Sequence, residues 1–411
     1  MKKKMGLLTQ LIIGITVGIL LGLWGNIPVM VIYATFNALF GQFLTFSIPL
    51  VILGFILKGI SEIGAKSGKI VGLVVAFCYG LTVIGGFLAF FAVMAFSNVL
   101  LAGGGELQGN YREAVDPLMN IAIAPIMPIM TALIFAFVVG TFMNNLPEDN
   151  TIKKLSNDFH LIVKQLIAKI IIPLLPIHIS GIFARIAFEG QAADVLGTFF
   201  RVLILILGLH FAFIFVLYFI AGLIYKKNPF AIMKQMIPSY VTALGTQSSA
   251  ATMPVNLVNV RKIGVHKNVA EFVVPFGATI LLVGSTISIV ACAIVVMFMF
   301  DMPIVMGDVV PFILVLSMTM VAAPGVPGGA IIAALGALEF ELGFSSEMMA
   351  LMIALYIAQD SFGTAVNISS DGAVAIFLNR ILGHKTLEEV TDEDLMAEEA
   401  EAVMPGVEGN S

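Results

Sequence analysis

Four polar residues in the last apolar segment of the chain have the types and spacing of a binding site inside a membrane. They follow one another at i, i+4, i+7 and i+11 and are Asp360, Thr364, Asn367 and Asp371. This spacing places them on one stripe of a helix, over about 16 Å. A carboxylate within a membrane-spanning helix costs about 2.5–3.5 kcal/mol. Two of them on one stripe favour an ion or substrate path over the alternative, a hydrogen-bonded packing seam between helices.

The chemistry of this stripe suits a zwitterion and a hard cation. Asp360 can pair with an ammonium group, while Thr364 and Asn367 can donate hydrogen bonds to a substrate carboxylate. Asp371, close to the carbonyl of Asn367, can supply an oxygen ligand for sodium.

The composition predicts that the stripe lies in a polytopic, all-α membrane protein. Of the 411 residues, 59% are hydrophobic and 11% are charged, against about 45–50% and 25% in soluble proteins. Several segments without Asp, Glu, Lys or Arg exceed the roughly 20 residues that span a bilayer core. Among them are residues 5–57, 70–105, 117–147, 272–300 and 309–338.

Charge clusters and Gly/Pro runs divide the chain into predicted elements. Eight full helices are expected near residues 6–25, 28–60, 68–101, 117–144, 160–186, 196–225, 269–300 and 346–380. Two further segments, 231–262 and 309–338, are interrupted at their centres by a polar run at 246–252 and a Pro-Gly run at 323–329. A Pro-Gly run cannot continue a helix, so both segments are predicted to be re-entrant helical hairpins, a pattern typical of transporter substrate sites.

The distribution of Lys and Arg predicts the orientation. With eight spans and two hairpins that do not cross, sixteen basic residues fall on the side of the N-terminus and three on the other. This bias places both termini in the cytoplasm of a multi-pass plasma-membrane protein, with the first hairpin opening from the cytoplasm and the second from outside. Nine of the 26 acidic residues follow residue 386, so residues 383–411 are expected to form an acidic cytoplasmic tail, disordered or partly helical.

Four motifs in order carry a resemblance to the dicarboxylate/amino acid:cation symporter family over about residues 5–382. They are Gly-Thr-Gln-Ser-Ser-Ala-Ala-Thr-Met-Pro at 245–254, Pro-Phe-Gly-Ala-Thr-Ile at 275–280, Pro-Gly-Val-Pro-Gly-Gly at 324–329, and the stripe at 360–371. The resemblance implies an elevator-type homotrimer embedded in lipid. Residues 1–230 would be mainly scaffold and trimerisation helices, some moving with the transport domain, and residues 231–382 the transport core.

The resemblance also implies roles for individual residues. Asp360 would bind the substrate amino group, and Thr364 and Asn367 would help to hold the substrate. The hairpin tips would close the two sides, with Gln247, Ser248 and Ser249 on the cytoplasmic side and Gly325, Val326 and Pro327 on the extracellular side. Sodium would bind the carbonyls of Gly277 and Asn367 and the Asp371 carboxylate, with a second sodium ion near Thr279.

Two departures from the family pattern bear on substrate and coupling. Residues 281–285 read Leu-Leu-Val-Gly-Ser where the family commonly has Asn-Met-Asp-Gly-Thr, so the side chains of a further cation site are lost. Gly363 stands where acidic-substrate members carry an arginine, and without that cation a second substrate carboxylate would be buried unpaired. We therefore expect a sodium-coupled symporter of a small neutral amino acid such as serine or threonine. The alternative is a sodium- or proton-coupled symporter of dicarboxylates or acidic amino acids.

Other classes of protein are disfavoured. An intramembrane enzyme would need catalytic machinery, but the sequence has no HExxH or GxSxG motif and its five histidines fall in five different segments. A passive channel would need a repeated filter or a charged ring, and the sequence shows neither. The basic residues form no block that would bind nucleic acid, and the two cysteines suggest neither a disulfide framework nor a metal motif. No cofactor is expected, and sodium is expected as the coupling ion.

Overall fold

The structure, a computed structural model, describes residues 7–58, 61, 69–101, 115–119, 121–143, 146–147, 149–323, 327–384, 386–388, 390–391 and 393–394. Secondary structure within these ranges is helical, without strands. Six helical stretches are long and apolar enough to cross a membrane: Ile27–Leu57, Val71–Leu100, Thr151–Phe188, Ala192–Tyr225, Lys267–Met299 and Ser346–Ile381. The chain is therefore built as a polytopic membrane protein.

The first half of the chain consists of long helices. They are α1 (Leu7–Trp24), α2 (Ile27–Leu57), α3 (Lys69–Leu100), α4 (Ile129–Met143), α5 (Thr151–Phe188) and α6 (Ala192–Tyr225). Single π-helical turns interrupt α2 at Leu53–Leu57 and α5 at Ile167–Ile171. The first of these turns packs against α5 ahead of the second, where the imidazole of His160 hydrogen-bonds the Gly54 carbonyl at 3.0 Å.

Two predicted boundaries in this half are wrong. The helix expected over 117–144 begins only at Ile129, and the described residues before it are not helical. Pro117, Pro125 and Pro128 explain the difference, because proline lacks the N–H that a helix interior needs. The helix expected from residue 160 begins at Thr151, where the Asn150 side chain accepts a hydrogen bond from Ile152 N at 2.9 Å and caps it.

Helices α1 and α5 approach each other through a row of glycines. Gly14, Gly18 and Gly22 recur every four residues on one face of α1. A methyl group at these positions would lie 2.2–2.6 Å from the backbone carbonyl oxygens of Pro176, Ser180 and Ala184 in α5. Only hydrogen fits in this space, so the two backbones are in direct contact, as small residues allow in membrane bundles.

The second half contains shorter helices around one long helix. They are α7 (Pro229–Thr246), α8 (Ser249–Ile263), α9 (Lys267–Ile280), α10 (Val283–Met299), α11 (Met306–Met320), α12 (Gly329–Leu342) and α13 (Ser346–Ile381). The two interrupted segments each form consecutive helices that pack on each other, α7 with α8 and α11 with α12. Their re-entry into a membrane from one side stays a prediction.

The helix expected as one element over 269–300 is in fact two. The chain leaves helical geometry at Leu281 and Leu282, and α10 begins at Val283. All residues of α10 from Val283 to Met297 are buried, and α10 packs against α3, α6 and α13. The N-terminus of α10 therefore lies inside the protein, where the free N–H groups of its first turn need hydrogen-bond partners.

The beginning of the acidic tail is docked on the bundle. Glu388 N donates to the Gly264 carbonyl at 2.8 Å, and the Glu388 carboxylate pairs with Arg261 at 2.7 Å. Gly264 has a φ of 101°, and a methyl group there would lie 2.3 Å from the Glu388 carbonyl oxygen. Further along, the hydroxyl and N–H of Thr391 donate to the Asp394 carboxylate, which lowers the pKa of Asp394. The described start of the tail therefore packs across the turn between α8 and α9. Residues 395–411 lie outside the described part.

Candidate functional site

Helix α13 is buried along almost its whole length and carries the polar stripe into the centre of the bundle. Ser345 caps its first turn by accepting from Met348 N at 3.3 Å. The four stripe residues have exposed fractions of 5% (Asp360), 6% (Thr364), 3% (Asn367) and 0% (Asp371). All four side chains therefore face protein, as both a ligand site and a hydrogen-bonded packing seam between helices require.

Asp360 lies against the second hairpin. Its Oδ2 accepts a hydrogen bond from Gly328 N at 2.7 Å, just before α12 begins. Gly328 has a φ of 73°, a left-handed conformation that favours glycine. Pro327 is next to this contact, whereas Gly325 and Val326 lie outside the described residues. Thr364 is one turn further along α13 and donates to the Asp360 backbone carbonyl at 2.9 Å.

The Asn367 side chain caps the broken helix α10. Its Oδ1 accepts from Gly284 N at 2.8 Å and Ser285 N at 3.4 Å, and its Nδ2 donates to Ser285 Oγ at 3.0 Å. These bonds supply partners for the free N–H groups at the start of α10. Sequence reasoning assigned the Asn367 amide to a substrate carboxylate, but in this conformation the amide oxygen and one amide N–H are bonded to α10.

Asp371 is a buried carboxylate without a hydrogen-bond donor in the described part of the chain. Neither Oδ1 nor Oδ2 has a partner there, and a buried charge without a partner is strongly unfavourable. Oδ1 faces Gly277 so closely that a methyl group on Gly277 would lie 2.6 Å away. An unpaired carboxylate against a glycine backbone fits a small hard cation, which prefers carboxylate and carbonyl oxygens.

Thr279, expected near a second ion, is two residues from Gly277 but its side chain is exposed. Its hydroxyl donates to the Phe276 carbonyl at 2.7 Å. The neighbouring Ala278 is buried, and it packs with Ala365 and Ile368 of α13. The backbone of α9 therefore lies beside the stripe, while the Thr279 hydroxyl is turned to its own helix.

The tip of the first hairpin is a tight turn with its own hydrogen bonds. Gln247 adopts a left-handed φ of 52°, and Ser248 Oγ accepts from Ala251 N at 3.3 Å to cap α8. Ser249, the first residue of α8, is 6% exposed. The tip is tied to α13 further along, because Asn256 Nδ2 in α8 donates to the Ile368 carbonyl at 3.2 Å.

Sequence reasoning missed three side chains that surround the start of α10. The Tyr356 phenol donates to Ser285 Oγ at 2.9 Å, and the His210 ring in α6 lies 3.0 Å from the Gly284 carbonyl through Nε2. All three side chains, Tyr356, Ser285 and His210, are buried. His210 stands alone in an apolar segment, so no spacing pattern could identify it. Two signals were available for the others: Tyr356 precedes Asp360 by four residues and continues the spacing of the stripe, and Ser285 follows Gly284 within residues 281–285.

An all-helical bundle of long apolar helices, with a buried polar helix facing two pairs of short helices, defines a polytopic membrane transporter. The chain belongs to the sodium:dicarboxylate symporter family, whose model matches residues 7–381. The resemblance drawn from the four motifs is thereby confirmed.

Curated relatives include amino acid transporters from bacteria and from human. A serine/threonine transporter, SstT, of Acinetobacter baumannii (strain AYE) is 26% identical over 386 residues, covering 90% of this chain and 95% of the relative. SstT of Streptococcus suis (strain 05ZYH33) is 28% identical over 347 residues, covering 80% and 94%. The human excitatory amino acid transporter 2 is 26% identical over 300 residues, covering 67% of this chain and 51% of the relative.

Proposed function

We propose that this protein is a secondary active symporter that imports a small neutral amino acid, of serine or threonine size, together with sodium. The observation that carries the proposal is the buried stripe of α13, which holds one carboxylate at the second hairpin and another, unpartnered, beside Gly277. A substrate ammonium group and a cation would neutralise these two charges inside the membrane.

The proposed substrate class follows from the scarcity of basic residues in the part of the sequence that carries the stripe and the two hairpins. Between residues 235 and 379, Lys and Arg occur only at Arg261, Lys262 and Lys267, around the α8–α9 turn. An aspartate or dicarboxylate would bring a second carboxylate to the site without a guanidinium or ammonium partner. The names of the two bacterial relatives, serine/threonine transporters, agree with this choice.

The substrate would lie between the two hairpins. We assign its amino group to Asp360, and its carboxylate to the hydroxyl of Thr364, the remaining amide N–H of Asn367 and the tip of the first hairpin. The members of that tip are Gln247, Ser248 and Ser249; those of the opposite tip are Gly325, Val326 and Pro327. Ser249 begins α8, and a helix N-terminus favours an anionic group.

Sodium would be held by Asp371 together with the backbone carbonyls of Gly277 and Asn367. The support is the unpartnered carboxylate and its close approach to Gly277. A second sodium ion would bind by backbone oxygens near Thr279 and the second hairpin, since the Thr279 hydroxyl already donates within its own helix. Sodium is cargo as well as coupling ion in this scheme.

The movement proposed is an elevator in which residues 231–382 carry substrate across a scaffold formed mainly by residues 1–230. The tight α1–α5 contact supports a rigid scaffold. The homotrimer, the plasma-membrane location and the cytoplasmic placement of both termini complete the proposal, the last on the lysine bias of the loops.

One assay tests substrate and coupling together. Purified protein in vesicles is offered each of the twenty amino acids and common dicarboxylates, with an inward gradient of either sodium or choline. We expect uptake of serine and threonine with sodium alone. Equal rates in sodium and choline would contradict the coupling, and preference for aspartate or succinate would contradict the substrate class. Exchange of labelled serine across vesicles without a gradient distinguishes a symporter from a channel.

A further inference from the structure

We propose that the docked start of the tail is an autoinhibitory strap, which restrains the first hairpin and slows the release of substrate to the cytoplasm. The strap consists of residues 384 and 386–388, which follow the end of α13. The proposal rests on the function proposed above, in which the first hairpin lies on the cytoplasmic side of the substrate.

One end of the strap is bound to the end of α13 and to α6. His384 N donates to the Asn379 backbone carbonyl at 3.0 Å. The Tyr225 phenol in α6 donates to the His384 carbonyl at 3.1 Å, the nearer of the two carbonyls that it faces. The buried Asn379 side chain links these groups to α9, because its Nδ2 donates to the Tyr225 oxygen at 3.0 Å and its Oδ1 accepts from His266 N at 3.1 Å. The strap therefore begins where α6, α9 and α13 meet.

The other end of the strap is bound to the turn between α8 and α9. Glu388 N donates to the Gly264 carbonyl at 2.8 Å, and the Glu388 carboxylate accepts from Arg261 Nη1 at 2.7 Å. Arg261 lies in the last turn of α8, is buried, and also donates to the Val265 carbonyl. Leu387 packs against the hydrophobic core. A backbone hydrogen bond, a charge-assisted hydrogen bond and an apolar side chain thus hold this end together.

Two histidine rings lie between these ends. His266 and His384 are stacked, with their ring centroids 4.2 Å apart and an interplanar angle of 21°. His266 Nε2 also lies 3.7 Å from Glu388 Oε1. The strap is therefore in contact with the start of α9 as well as with the end of α8.

The strap joins the first hairpin to α13 at a second place. Both helices of that hairpin pack on α13, and Asn256 in α8 is already bonded to the Ile368 carbonyl. Arg261 is five residues further along α8, at the end away from the tip. In the proposed mechanism the hairpin separates from α13 when substrate leaves for the cytoplasm. Because the strap is bound to both, its contacts would have to break, and this raises the barrier to release.

The ion pair at the end of the strap is open to solution on one side. The Glu388 side chain is 39% exposed, whereas that of Arg261 is 7% exposed. Dissolved ions screen a pair that faces solvent, so salt on this side of the protein should loosen the strap. Transport would then respond to the ionic strength of the cytoplasm.

The measurement is the exchange of labelled L-serine across right-side-out membrane vesicles that contain the full-length protein, with saturating sodium on both sides. Choline chloride sets the ionic strength inside the vesicles. Glu388→Gln removes the ion pair and keeps the size of the side chain. Its exchange at low ionic strength should be about two- to fivefold faster than that of the wild type, the equivalent of about 0.4–1 kcal/mol. Choline chloride inside should accelerate the wild type toward this variant and leave the variant unchanged.

Two further variants separate release of the strap from other effects. Gly264→Ala displaces the strap by a different route, because a methyl group there would lie 2.3 Å from the Glu388 carbonyl oxygen, and it should accelerate exchange similarly. Glu393→Gln removes the same charge from an exposed position five residues further along the tail and should keep the wild-type rate. Limited proteolysis near Glu388 measures directly whether each variant has released the strap.

The outcomes are distinguishable. Wild-type exchange rates in Glu388→Gln and Gly264→Ala, with the strap released in both, overturn the inference and leave the symporter intact. Slower exchange in both, or an equal acceleration in Glu393→Gln, also overturns it, because the strap would then assist transport or tail charge alone would explain the effect. A strap that stays docked in both variants overturns it too. If Gly264→Ala does not fold, Glu388→Gln decides alone. A wild-type protein that exchanges no serine in the presence of sodium contradicts the proposed function itself.

Discussion

Replacing Gly277 by alanine is the most direct perturbation of the proposed sodium site. The added methyl carbon would lie 2.6 Å from Asp371 Oδ1 and 3.0 Å from its Cγ. Ordinary van der Waals separation between carbon and oxygen is nearly 1 Å longer than the first distance. Either the carboxylate or the α9 backbone must move, and both are proposed ligands of the same ion.

The size of the effect can be worked from the packing. Inserting a methyl group into a filled interior costs about 1–3 kcal/mol. A hard cation needs its oxygen ligands at short and fixed distances, so this strain falls mainly on the ion-bound state. Sodium affinity should then decrease by about 5- to 150-fold. In a helix, Gly→Ala otherwise stabilises by about 0.5–1 kcal/mol, so thermal stability without sodium should change little.

The assay is sodium-dependent serine uptake into vesicles, with the half-saturating sodium concentration as the readout. Gly208→Ala in α6 is the matched control, because a methyl group there meets no atom within 4 Å, so it should keep the wild-type sodium dependence. An unchanged half-saturating concentration in Gly277→Ala, equal to that in Gly208→Ala, would refute the assignment of sodium to Asp371 and Gly277.

Three further predictions concern the rest of the core. Asp360→Asn should abolish serine uptake, because the neutral amide cannot pair with the ammonium group; near-normal uptake by that variant would exclude the assigned role. Gly363→Arg should raise the ratio of aspartate to serine uptake, because it supplies a cation for the second carboxylate. Gly363→Ala is its control and should keep serine uptake, since the added methyl group would lie at an ordinary 3.4 Å from Ser285 N. A folded arginine variant with an unchanged ratio would count against the charge argument. Gly264→Ala should release the docked tail at a cost of about 1–3 kcal/mol, measured as faster limited proteolysis near Glu388 than in wild type; equal cleavage would show that the strap does not depend on this glycine.

Much of the helical order was predictable from the sequence because the signals were local. Gly and Pro marked the turn after α1 and the turns on either side of α12, and charge-free runs marked the long helices. The polar run at 246–252 predicted the turn at Gln247, where a helix ends and another begins. The helix predicted over 117–144 began too early, although three prolines gave a local signal for the later start of α4. The apolar composition of the segment outweighed that signal in the prediction.

The break between α9 and α10 could not be predicted because its cause is distant in sequence. Leu281 and Leu282 are apolar and carry no mark of a helix end. The break exists where Asn367, more than eighty residues away, supplies the acceptor that the first N–H groups of α10 need. The same holds for the tail, since the partners of Glu388 are Arg261 and Gly264. Charge counting identified the acidic segment but could not say that its start is docked.

The glycine row of α1 has a consequence for how the molecule tolerates change. Each of its three glycines faces a carbonyl oxygen of α5 at a distance that only a hydrogen atom can occupy. Alanine at any one of them would therefore force helices α1 and α5 apart. The proposed movement of residues 231–382 requires a scaffold that keeps its shape, and this backbone contact between α1 and α5 would provide a rigid part of it. Random mutagenesis should therefore recover few functional substitutions at these three glycines, although none of them is among the proposed substrate or sodium ligands.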